Sequence, residues 1–242
     1  VDQAMAEKLT EVDASYFKDS PVYFGLIAFH ETLHLKGHLS IEVSQEKEDL
    51  SIYRAGVRVR SAQSQVEKGK HHQHFRGLNE AIVEETTKLS FEKLLDQPTL
   101  AEEKTWLASK EARQMKKEQA EKKSIPKDEI IWVEKNGGIK KFVYLSQRKV
   151  LNYVCIEIQK VFSEKYKTPG DVFNEFQKAH FTGQLLSIAH LVEKTFGAGS
   201  FRLLGNMDTT EVGGYLHLEA LKKARMRQQK GKFIIDSALG AV

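Results

Sequence analysis

Tyr23-Phe24-Gly25-Leu26-Ile27-Ala28-Phe29-His30-Glu31-Thr32-Leu33-His34 carries an apolar run directly into a His-Glu-x-x-His pentapeptide. On a helix, residues four apart share a face, so His30 and His34 present two imidazoles to one ion at about 2.0–2.1 Å from nitrogen to metal. Glu31 points beside that ion, where a carboxylate can take a proton from water. Ser20-Pro21 is a capped helix start and Gly37 a helix stop, which predicts a helix from about Pro21 to Lys36.

The surrounding chain predicts an α+β fold, mainly helical: a zincin-like helix pair with small β-hairpins and a helical C-terminal part. Leu39-Ser40-Ile41-Glu42-Val43 and Gly56-Val57-Arg58-Val59-Arg60 alternate in character and read as a hairpin across the charged connection 45–49. Residues 61–74 read as a polar loop. A second helix runs from near Leu78 to Leu95 and is stopped by Asp96-Gln97-Pro98.

From Leu100 to about Lys123 the Lys/Glu/Ala-rich chain predicts one solvated helix. Ile130–Val133 and Phe142–Leu145 flank Lys135-Asn136-Gly137-Gly138, a hairpin turn signal. Helical spacing follows over Val150–Phe162, Asp171–Ala179 and Gln184–Phe196, then a basic helix over Leu218–Gln229. The expected division is a metal-binding region over 1–97 and a mostly helical region over 98–242.

Two histidines leave a catalytic zinc one protein ligand short. Glu80 and Glu84, one turn apart on the second helix, are the best candidates: one can bind metal while the other orients a ligand imidazole. His30-Glu31-Thr32-Leu33-His34 followed by Gly77-Leu78-Asn79-Glu80-Ala81-Ile82-Val83-Glu84-Glu85 resembles the thermolysin-like gluzincins, zinc metallopeptidases with a second Asn-Glu motif on a packed helix. The resemblance covers Ile27 to about Lys36 and Gly77 to Glu85. It implies that His30, His34 and Glu80 bind Zn2+, that Glu31 is the general base, that Glu84 supports a ligand histidine, and that Asn79 holds backbone near the active-site helix. It further implies a peptide or protein substrate; with too few residues upstream for the family's usual sheet, the hairpin after the first helix is expected to offer the edge instead, with Tyr53–Arg60 as the candidate peptide-binding strand.

A rival metzincin pattern puts Gly37 on its glycine but Ser40 on its third ligand, with His38 two residues early. His71, His72 and His74 form a second histidine-rich stretch that reads first as a polar loop. For the donor that stabilises an oxyanion, the candidates are Tyr215 after the flexible pair Gly213-Gly214, His217 and His190; His180, Arg54 and Arg58 are also open. The alternative to an enzyme is a non-catalytic zincin-fold module that binds metal or a protein partner.

With 40% hydrophobic and 29% charged residues, the 242-residue chain reads as globular, without a membrane span or signal peptide. A lone cysteine, Cys155, excludes an internal disulfide, reads as a buried small hydrophobe and points to a cytoplasmic setting; processing upstream of Val1 stays open. A net charge of +4 does not call for nucleic acid, and the set Lys222, Lys223, Arg225, Arg227, Lys230 and Lys232 reads as a solvated helix end.

Overall fold

The computed structural model describes residues 20–44, 49–60, 73–134 and 137–239. They are mainly helical with small antiparallel strand pairs. Among them no helix is long and apolar enough to cross a membrane.

Helix α1 (Pro21–Lys36) begins where its cap predicts: Ser20 Oγ accepts from the Tyr23 amide at 3.1 Å, satisfying one of the amides that lack a helical partner. Gly37 closes the helix, its amide donating to the Leu33 carbonyl at 3.0 Å. Helix α2 (Arg76–Leu95) likewise matches its sequence signal within two residues.

The sheet between these helices departs from the expected hairpin. β1 (Leu39–Ser44) pairs with β2 (Asp49–Ala55), β2 with β3 (Arg58–Arg60), and β3 with β4 (Gln73–His74), all antiparallel and in that order. The partner of Leu39–Val43 is therefore Asp49–Ala55, not Gly56–Arg60. Gly56, at φ +59°, takes the left-handed conformation that a two-residue turn needs, so Tyr53–Arg60 is broken into two strands. Nor is this segment a free edge, because β2 has a neighbour on each side. Leu39, Ile41 and Val43 of the edge strand β1 are exposed.

The described residues group into two compact units that interleave along the chain. One comprises the described chain up to Thr32 with Thr86–Val143; the other comprises Leu33–Glu85 with the chain from Tyr144 onward.

In the first unit Val22, Leu26, Leu95, Leu100, Ile131 and Phe142 form the core. The expected single helix over Leu100–Lys123 is two, α3 (Ala101–Ala108) and α4 (Lys110–Lys123). Ser109 interrupts them with extended backbone and caps α4 by accepting from the Ala112 amide at 3.0 Å. β5 (Ile130–Val133) pairs with β6 (Ile139–Lys141), a strand earlier than the expected Phe142–Leu145; positions 135 and 136 of the turn lie outside the described residues.

In the second unit α5 (Leu145–Val161), α6 (Pro169–Thr182), α7 (Leu185–Phe196), α8 (Ser200–Gly205) and α9 (Glu211–Leu239) share a core with Val57, Leu78 and Ile82. Thr168 and Asp171 form a reciprocal capping box at the start of α6. Helix α9 starts well before the expected Leu218 and includes Gly213-Gly214. Those glycines are not a hinge: a Cβ on Gly214 would collide with Ser146, and one on Gly213 with the Asp208 carboxylate. Arg225 corrects the solvated reading of its basic set. It is buried, with Nε 2.9 Å from Glu157 Oε2 and a second hydrogen bond to the Thr195 carbonyl.

Candidate metal centre

Helix α1 sets His30 and His34 one turn apart, and α2 does the same for Glu80 and Glu84. His34 Nε2 stands 3.2 Å from Glu80 Oε2. One ligand atom from each of His30, His34 and Glu80 lies within 4.8 Å of the other two. Two ligands held at 2.0–2.1 Å on a tetrahedral ion are roughly 3.3 Å apart, so the His34–Glu80 spacing suits a shared ion. The donor set, two imidazoles and a carboxylate, fits zinc and leaves a fourth position for water or substrate.

His30 is buried and Glu31 half-buried on α1; Glu84 is buried on α2. Asn79, also buried, links three segments. Its Oδ1 accepts from the Val57 amide at 3.1 Å, and its Nδ2 donates to His34 Nδ1 at 3.3 Å. Asn79 thus ties backbone of the β2–β3 turn to the motif helices.

His180 is the residue whose role is least visible in sequence. It projects from the apolar face of α6, beside buried Val172, Phe176 and Ala179. Its Nε2 lies 3.2 Å from the Leu33 carbonyl and its Nδ1 3.2 Å from Asn79 Oδ1; its ring meets that of His34 edge-on, centroids 6.4 Å apart. Burial pushes its pKa down, so a neutral ring with one proton faces two acceptors. The only sequence signal is a histidine on an otherwise apolar helix face.

The remaining candidates lie elsewhere in their contacts. Tyr215 packs against the Lys149 ammonium, His217 Nδ1 donates to the Gly213 carbonyl at 2.7 Å within α9, and His190 is exposed on α7. No described hydrogen bond or ring contact joins these three to His30, His34 or Glu80. Arg54 donates to the carbonyls of Gly56 and Gly183. Arg58 is half-buried; burial lowers its pKa, Arg60 and Arg76 act in the same direction, and Glu80 opposes them. His38 engages Ser40 Oγ at 2.9 Å, pairing the two residues on which the metzincin pattern depended. His74 is in β4, whereas His71 and His72 lie outside the described residues.

The chain matches no protein-family model, no curated protein and no solved structure.

Proposed function

We propose that this chain is a zinc-dependent metallopeptidase of gluzincin type, with His30, His34 and Glu80 as ligands and Glu31 as general base. The observation that carries the reading is the convergence of one carboxylate from α2 on two imidazoles one turn apart on α1. Zinc bound by such a set supplies Lewis acidity, polarising a carbonyl and acidifying water towards a pKa of about 7.

The chain's own groups do the rest. Glu31 takes a proton from the attacking water and returns it to the leaving amine. Asn79 sets its side-chain amide against His34 Nδ1 at 3.3 Å, and Glu84 supplies a buried carboxylate one turn from Glu80. For the negative charge that develops on the carbonyl oxygen we propose Arg58, half-buried on β3, the strand that follows the turn held by Asn79. A peptide or protein is the substrate. A single buried cysteine accords with a cytoplasmic setting.

The test is hydrolysis of a quenched-fluorescent peptide library by the full chain with zinc. Cleavage abolished by chelation and restored by zinc supports the reading. Zinc binding without cleavage of any peptide would leave a metal-binding module instead.

A further inference from the structure

We infer that His180 is a positioning residue for the metal-binding pair, holding from α6 the two residues that immediately precede His34 and Glu80. The inference rests on the metal-site reading above, and all the contacts that carry it lie within one compact unit.

His180 Nε2 meets the carbonyl of Leu33, the residue before His34, and Nδ1 meets the side chain of Asn79, the residue before Glu80. The Leu33 carbonyl, in the last turn of α1, accepts from the Gly37 amide at 3.0 Å and keeps a second lone pair for the His180 ring. A ring bonded there fixes the end of the helix at its second histidine. Asn79 in turn touches His34 Nδ1, so the same ring constrains His34 from its backbone and from its imidazole. The neutral imidazole, only 1% exposed, carries a single N–H, which the Leu33 carbonyl accepts at Nε2, while Nδ1 abuts the Asn79 amide.

The surroundings are shaped to the ring. A Cβ on Gly37 would lie 2.9 Å from His180 Nε2, and one on Gly56 would overlap the ring and come within 2.5 Å of Asn79 Oδ1. Two glycines, one ending α1 and one in the β2–β3 turn, therefore leave the space that His180 fills. The end of α6 is anchored to the same segments: the His180 carbonyl accepts from the His38 amide at 3.0 Å, and the Gly183 carbonyl accepts from Arg54.

The experiment is a zinc titration against a competing chelator, using the full chain as wild type, His180→Ala, His180→Gln and Gly37→Ala, with thermal melts to establish folding. Outer partners of ligand histidines typically contribute 10- to 100-fold in affinity. His180→Ala is expected to weaken binding by roughly that factor, and His180→Gln, which can still donate to Leu33, to recover most of it. Gly37→Ala keeps the imidazole but crowds Nε2, so it should weaken binding too, and it decides the question if His180→Ala does not fold. Wild-type affinity in folded His180→Ala, or in Gly37→Ala where that variant alone folds, overturns the inference.

If the wild type binds no zinc, the metal-site reading falls. Nitrogen-15 spectra of the His34 imidazole in the metal-free chain then read the positioning alone. Signals that move in either folded variant uphold it, and signals that stay fixed overturn it.

Discussion

Glu80 Oε2 lies 3.2 Å from His34 Nε2 across a separation of 46 residues, joining the His-Glu-x-x-His helix to the helix of the second motif. Each group is substantially shielded from water, and each brings further positioning: Asn79 on the imidazole of His34, and His180 on Asn79. A site held in this way starts near its bound geometry, so less ordering is needed when a ligand arrives.

Glu31→Gln separates metal binding from chemistry. The amide is isosteric and lies outside the ligand set, so zinc affinity should stay within about twofold while hydrolysis falls by roughly 10²- to 10⁴-fold, the usual contribution of a general base. Calorimetric zinc titration and peptide turnover on one preparation check both halves. Full turnover in the variant removes Glu31 from the mechanism.

Arg58→Met tests the assignment of the oxyanion charge. A donor acting on developing charge affects kcat more than KM, and loss of one such donor costs roughly 10²- to 10³-fold in kcat. Steady-state kinetics on a single fluorogenic peptide give the split. A change confined to KM would mean that Arg58 binds substrate instead.

The parts of the fold that were legible in sequence are those governed by local chemistry. Ser20, Pro21 and Gly37 mark both ends of α1, and Thr168-Pro169 marks the start of α6, because caps act within a turn of themselves. The pairing of His30 with His34 was legible because helical spacing dictates which residues share a face, whereas the approach of Glu80 to them followed only from the resemblance of its motif. What escaped depends on partners far along the chain. Asp49–Ala55 has a strand-like alternation, but the charged run Glu46-Lys47-Glu48-Asp49 masks its start, and the turn at Gly56 declares itself only through φ. His180 is 147 residues from the Leu33 carbonyl it faces, and Arg225 is 68 from Glu157. No local pattern announces such pairs.

The Arg225–Glu157 pair makes stability depend on acid. Burial pushes the Glu157 carboxyl up, but hydrogen bonds and charge from Lys160 and Arg225 outweigh it and hold the pKa below the ordinary value. Below the unfolded pKa, near 4.3 for Glu, the unfolded chain binds the extra proton first, so stability falls with decreasing pH. The contribution is complete above that value and is lost as pH drops through the folded pKa. Glu157→Gln, which leaves Arg225 buried without its charge partner, should cost about 3–5 kcal/mol at pH 7. Urea unfolding between pH 3 and 7 should show the gap to wild type closing towards the acid end; a gap independent of pH contradicts the account.

Cys155 should be chemically silent in the folded chain. It is 2% exposed, and burial, reinforced by the charge of Glu85, pushes the thiol well above its ordinary range, so the reactive thiolate is scarce. Iodoacetamide at pH 8 should leave the native protein unmodified and add one equivalent in denaturant, as read by intact mass. Rapid alkylation without denaturant would contradict that burial.

The most direct measurement of the central claim is zinc stoichiometry in the purified full chain, beside His34→Ala and Glu80→Gln variants shown by thermal melts to be folded. The account predicts one zinc per wild-type chain. It also predicts that either substitution loses more than the roughly 10- to 100-fold in affinity typical of outer partners. A wild-type chain without stoichiometric zinc, or folded variants that bind it as tightly as the wild type, would contradict the convergence of His30, His34 and Glu80 on one ion.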